Sequence, residues 1–205
     1  MATTQSAERT GRASRSRIIE IAFDHFAANG YRGGSMSKIA AEAGMSHPGL
    51  LYHFPNKETL LEAVLKARDE GDLESSELTP EALSEMEFDE LLTAFEDVVR
   101  HNAGHRNLIQ FSHVIAAEAT GADHPAHDWI RGRMVLFRRL CVGSIERSVR
   151  AGTVRADVDA ELVTAMLIAA SEGLENQWLV DSSVDLVGGF ACFANLLREY
   201  VAVPA

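Results

Sequence analysis

Residues 35–61 read SMSKIAAEAGMSHPGLLYHFPNKETLL. Ile39, Ala40 and Ala43 recur at helical spacing, Met45 falls in a break, and Leu50 and Phe54 follow four apart. That period puts each apolar set on one side of a helix. Each helix is barely two turns long, too short to persist alone, so the two must clasp each other. Gly44 supplies the turn between them, where φ is often positive and a Cβ would be strained. Ser46 is placed to cap the second helix, and Pro48 falls in its first turn, where the missing N–H removes no intrahelical bond. The pattern predicts a helix-turn-helix, whose second helix enters a DNA major groove. With Leu50 and Phe54 inward, the opposite face presents His47, Pro48, Gly49, Tyr52 and His53 to phosphate oxygens, base edges and thymine methyls.

Outward from this segment, glycine, proline and short polar runs punctuate the chain into helices. No window of four or more residues alternates in the manner of a strand. Helices are expected over 14–29, with an Asn29-Gly30 stop, then 37–43, from 46 onward, 56–71, 88–103, 107–119, 127–151, 159–180 and 184–203. The fold class is all-α with about nine helices. A three-helix helix-turn-helix domain over 1–57, ordered from about residue 12, precedes a larger helical domain over 58–205. The acidic run DLESSELTPEALSEMEFDE, residues 72–90, reads as a linker leading into the helix at 88.

The 205-residue chain carries a formal charge of -11, which taken whole argues against a polyanionic partner. Its distribution reverses that. Residues 1–57 hold seven Lys/Arg and four acids, a net of +3, whereas residues 58–100 hold fourteen acids and three bases. A basic head on an acidic body suits a nucleic-acid contact at the head. No apolar run approaches the roughly 20 residues that cross a bilayer, and MATTQSAERTGRASRSR at the start lacks the apolar block of a secretory signal. A cytoplasmic protein with no membrane partner is expected. Cys141 and Cys192, the two cysteines, have no CxxC or Cys/His spacing and read as buried free thiols.

Ala43, Gly44, Met45, Ser46, Leu50, Leu51, Tyr52, His53, Phe54, Lys57, Leu60 and Leu61 resemble the signature of the TetR (tetracycline repressor) family of transcriptional regulators. With the basic first helix the resemblance covers about the first 65 residues; beyond them only the length and helicity of the chain suit the family. It implies a regulator, commonly a repressor, that binds a palindromic double-stranded DNA operator as a homodimer and releases it on binding a small effector. By matching positions, phosphate contacts fall on Ser35, Tyr52, His53 and Lys57, and base contacts on Ser37, Lys38, His47, Pro48 and Gly49. Many members carry a tyrosine where this chain has Leu51, and Tyr52 is expected to replace it. The recognition helix has no Arg, Asn or Gln for bidentate base contacts, so DNA shape should contribute to preference.

One short recognition helix spans few base pairs, so specificity calls for two related by symmetry. Ala165, Ala169 and Gly173, four apart, allow close helix approach, and Phe190, Phe193 and Leu197 form a stripe on the last helix. Together they predict a four-helix dimer interface. The middle helices are rich in aromatics and methionine, which can enclose a pocket with a few polar anchors. Its expected lining is Phe95, Val99, Phe111, Met134, Phe137 and Met166, with Gln110, His113, Arg133, Glu172 and Asn176 as anchors. That composition suits a small, largely apolar effector. His101 and His105 lie four apart, but no HExxH accompanies them, and neither GxSxG nor GxxxxGK occurs. No metal, cofactor or catalytic role is expected. The alternatives are a helix-turn-helix protein without an effector, or an activator.

Overall fold

The structure is a computed structural model that describes the backbone of residues 2–75 and 79–204 and the side chains of residues 14–70, 79 and 81–204. Among these residues the backbone forms ten helices and no strand: α1 (Ala2–Gly33), α2 (Met36–Glu42), α3 (His47–His53), α4 (Lys57–Ser75), α5 (Pro80–Glu85), α6 (Phe88–Ala103), α7 (Arg106–Glu118), α8 (His127–Ala151), α9 (Ala160–Val180) and α10 (Leu186–Val201).

Two elements differ from expectation. α1 starts at Ala2 rather than near residue 14; its opening residues, ATTQSAERTG, carry no apolar period that a pattern reading could register. α5 is a tenth helix inside the acidic run, of which residues 76–78 lie outside the described residues. Thr79 begins it, its hydroxyl accepting from the Ala82 N–H at 3.2 Å, and Pro80 fills its first turn. The Asn29-Gly30 stop is real. Gly30 has φ 71° and ψ 175°, which breaks α1 and leaves a single further turn before Gly34.

The chain divides into two compact units, Met1–Ser75 with Gln110–Ile130, and Ser76–Ile109 with Arg131–Ala205. In the first, α1 packs on α4 and α2, and α2 on α3. Ile18, Ala22, Phe26, Ile39, Leu50, Phe54, Leu60 and Leu61 share one core with Phe111 and Ile115 of α7. The Phe23 and Phe111 rings stack at 4.6 Å. The unit thus extends past residue 57, because the apolar surfaces of α4 and α7 complete its core.

In the second unit α10 packs against both α6 and α9. Phe88, Leu91, Leu92, Cys141, Ile145, Leu167, Phe190 and Leu197 form its core. Polar side chains of α8 fix the start of α6. The buried Ser148 hydroxyl accepts from the Phe88 N–H at 2.8 Å, while Ser144 Oγ and Arg147 Nη2 donate to the Met86 carbonyl at 2.9 and 2.8 Å. Arg198 ties α10 to α6 by donating to Asp89, Glu96 and Thr93.

Burial pushes the Cys141 thiol up from the usual 9.0 to about 12, whereas Cys192, also expected to be buried, is exposed because it lies on the face of α10 opposite its buried residues. A maleimide should therefore spare Cys141 in the folded chain near neutral pH and label it in denaturant. The raised value also sets a sign. Cys141 keeps its proton in the folded state but loses it above pH 9 when unfolded, so its contribution to stability is whole below that pH and is lost as pH rises toward 12. Unfolding midpoints in that alkaline window should fall, and Cys141→Ala should flatten the decline.

Candidate nucleic-acid interface

The short helices of the first unit are built as their sequence requires. Ser35 starts α2, its Oγ accepting from the Lys38 N–H at 3.4 Å, and Ser46 starts α3, its Oγ accepting from the Gly49 N–H at 3.2 Å. Gly44 turns the chain between them at φ 71°. Nothing occupies the space a Cβ would take there, so only the backbone angle demands glycine. Leu50 is fully buried and Phe54 1% exposed, with the Arg15 guanidinium 4.6 Å above the Phe54 ring. Tyr52, on the opposite face of α3, is 87% exposed.

Each expected DNA-contacting residue lies in this unit. Ser37, Lys38, His47, Pro48 and Tyr52 are exposed; Ser35, Gly49, His53 and Lys57 are half-buried. Two of them have structural partners that the sequence did not announce. The Lys57 ammonium donates to the carbonyls of Gly34 at 3.0 Å and Arg32 at 3.3 Å, and lies 4.6 Å from the Tyr31 ring centroid. The Ser35 N–H donates to Nε2 of the buried His25, whose Nδ1 is 3.4 Å from the exposed Glu42 carboxylate. Since Nε2 accepts, the proton of a neutral His25 belongs on Nδ1, facing Glu42. Sequence reading missed His25 and also Glu118, whose carboxylate accepts the Tyr31 and Arg32 N–H groups. The isolated histidine and glutamate belong to no local motif, and only the fold brings them to this unit.

The expected effector residues fall in both units. Gln110, Phe111 and His113 belong to the first, where Phe111 is wholly buried core. In the second, Phe95 stacks on Phe137 at 4.9 Å and Val99 is buried. Arg133, Met134, Met166, Glu172 and Asn176 are exposed, Met134 at 42% and Met166 at 52%. Two open hollows of about 610 and 450 Å³ adjoin α8 and the start of α9, lined by residues such as Val142, Glu146 and Glu161 and by none of those eleven.

The expected dimer stripe needs a correction. Phe190 and Leu197 are 2% and 7% exposed, inside the core of their own unit, and Phe193 packs against that core. α10 is apolar around much of its circumference, and the stripe with the larger rings faces inward. Outward it presents Leu196 and Tyr200, 58% and 51% exposed. On α9, Ala169 is exposed while Ala165 and Gly173 are half-buried, and Ala169 and Gly173 align with the exposed Leu162, Met166 and Val180. The His101 and His105 rings stack at 4.6 Å, and no third metal-ligating side chain joins them among the described residues. Nor is any described helix long and apolar enough to cross a membrane.

Residues 18–64 match the model of the bacterial regulatory proteins of the tetR family. Over 169 residues the chain is 27% identical to the transcriptional repressor KstR2 of Rhodococcus jostii, covering 75% of this chain and 74% of that one. Over 64 residues it is 41% identical to the transcriptional regulator RutR of Escherichia coli, 31% of this chain and 30% of that one. In structure it resembles the transcriptional regulator FadR of Bacillus subtilis in complex with stearoyl-CoA, with a TM-score of 0.71 at 23% identity over 91% of this chain and 98% of that one.

Proposed function

Because the chain belongs to the tetR family of bacterial regulatory proteins, we propose that it is a cytoplasmic, ligand-responsive repressor that grips a palindromic operator as a homodimer and lets go when a small, largely apolar effector binds. The carrying observation is the two-sided build of α3, with Leu50 and Phe54 buried behind and Pro48, His47 and Tyr52 bare in front. A solvated helix needs no such exposed tyrosine. Residues 1–57 serve the operator in this reading and residues 58–205 serve the effector and the partner subunit.

Two copies meet through the outward faces of α9 and α10. Residues 162, 166, 169, 173, 176 and 180 follow one another at alternating steps of four and three, the spacing of a coiled-coil seam. Leu162, Met166 and Val180 on that row are among the most exposed large apolar side chains of the unit. Small residues at Ala169 and Gly173 allow close approach midway. The effector class is suggested by the apolar middle helices, and the apolar acyl chain of the stearoyl-CoA bound by the structurally similar FadR is in keeping with it. Its binding shifts α4, which alters the separation of the two recognition helices, so that half-sites about one turn, roughly 34 Å, apart no longer fit both.

The test is operator affinity, measured by fluorescence anisotropy on a duplex enriched from a random pool by the protein itself, with and without stearoyl-CoA as probe. The expected result is a palindromic consensus, and at least a tenfold rise in operator Kd once the acyl-CoA saturates, equivalent to about 1.4 kcal/mol of coupling. Unchanged affinity across acyl chain lengths would favour the reading without an acyl effector.

A further inference from the structure

Gly30 breaks α1, and the turn that follows delivers the chain to Ser35, the first residue of the DNA-facing pair of helices. A break of this kind orphans the next backbone donors, since their helical acceptors are displaced. Those donors are met from outside the motif. Glu118, the last residue of α7, accepts the Tyr31 N–H at 2.8 Å and the Arg32 N–H at 3.1 Å on one carboxylate oxygen. The other oxygen occupies the space a Cβ on Gly30 would need, so glycine there serves the carboxylate as well as the positive φ.

From the other side, the Lys57 ammonium takes the carbonyls of Arg32 and Gly34. The turn is thus held at its N–H groups by an anion and at its carbonyls by a cation. His124 closes the site beneath. It is buried, its Nδ1 accepts from the Ala126 N–H at 3.2 Å, and its Nε2 lies 3.5 Å from the Glu118 carboxylate. The Tyr31 ring meets the His124 ring edge-on at 5.1 Å. Glu118, His124 and the turn all belong to the first compact unit.

We propose that Glu118 is a positioning residue for operator binding: its carboxylate fixes the turn at Tyr31 and Arg32 and thereby sets where Ser35, Ser37 and Lys38 meet the DNA. The inference rests on the DNA-binding reading above and extends it to a residue more than fifty positions beyond the family match, which ends at residue 64. Hydrogen bonds to a charged acceptor are among the stronger ones in proteins. Their loss loosens the start of α2 without touching any surface that contacts DNA.

The experiment measures operator Kd for the full-length wild type, E118Q, E118A and the core control I115V, on the duplex enriched by the wild type. Amide proton shifts and hydrogen exchange of Tyr31 and Arg32 are recorded alongside. We expect a graded loss. E118A weakens binding on the order of tenfold, E118Q, which keeps an acceptor oxygen, by about threefold, and both speed exchange at the two amides. I115V, on the same helix, leaves operator Kd within about twofold despite a comparable loss of melting temperature. If the wild type binds the duplex and E118A binds it equally well, or I115V is as weak as E118A, the positioning role is overturned and the DNA-binding reading stands. If the wild type enriches no duplex at all, that reading falls and the positioning role falls with it.

Discussion

Phe54→Ala is expected to lose operator binding altogether while leaving the second unit folded. The ring ends α3, is 1% exposed, and shares a core with Ile18, Ile39, Leu50 and Leu61. Truncating a buried phenylalanine costs about 3–5 kcal/mol, part transfer energy and part cavity. That is of the order of the total stability of a small unit. The loss falls where it does most harm, because α2 and α3 are seven residues each and hold their shape only through this core. The Arg15 guanidinium over the ring loses its platform as well.

Two melting transitions should result, an early one from residues 2–75 with 110–130 and a later one from the unit around Phe88, Leu91 and Phe190. Circular dichroism with calorimetry follows both, and Phe54→Leu should recover most of the binding because it refills most of the volume. Operator affinity within twofold of wild type in Phe54→Ala would remove Phe54 from the foundation of the interface.

What the sequence made legible divides along physical lines. The caps at Ser35 and Ser46, the turn at Gly44, the break at Gly30 and the buried pair Leu50 and Phe54 are short-range features. Each depends on residue type within four positions, and each is present in the structure. Glu118 carries no such signature. Its two backbone partners lie 87 and 86 residues away, and only the packing of the first unit brings them within reach. Lys57 was legible as a cation at the start of α4 but not as a ligand of the carbonyls of Arg32 and Gly34, since backbone acceptors look alike in sequence. α10 shows a third limit. A helix apolar on two sides, with Phe190 and Leu197 on one and Leu196 and Tyr200 on the other, gives no sequence sign of which side its own chain will cover.

That ambiguity fixes the second large effect. Met166→Glu is expected to convert the protein to a monomer at micromolar concentration and to lower operator affinity with it. Met166 is 52% exposed on α9, between Leu162 and the small residues Ala169 and Gly173 on the outward row. In a two-fold interface the same patch is used by both copies, so one substitution places two carboxylates in the seam. Like charges brought together in a desolvated interface cost several kcal/mol, and a loss of about 3–4 kcal/mol raises the dimer Kd by roughly 10²–10³-fold.

Sedimentation velocity reads the mass. Cross-linking of the exposed Cys192 on α10 by a short bis-maleimide reads proximity, strong in wild type and absent in Met166→Glu. Val98→Glu supplies the control: Val98 is 37% exposed on α6, off the outward rows of α9 and α10, and the substitution adds the same charge in place of another exposed apolar side chain. It should leave both mass and cross-link unchanged. Operator binding must follow the dimer, since a lone α3 reaches too few base pairs for a specific grip. A monomeric Met166→Glu that still held the palindrome at wild-type affinity would refute the paired arrangement, and a dimeric one would move the interface off the outward row of α9.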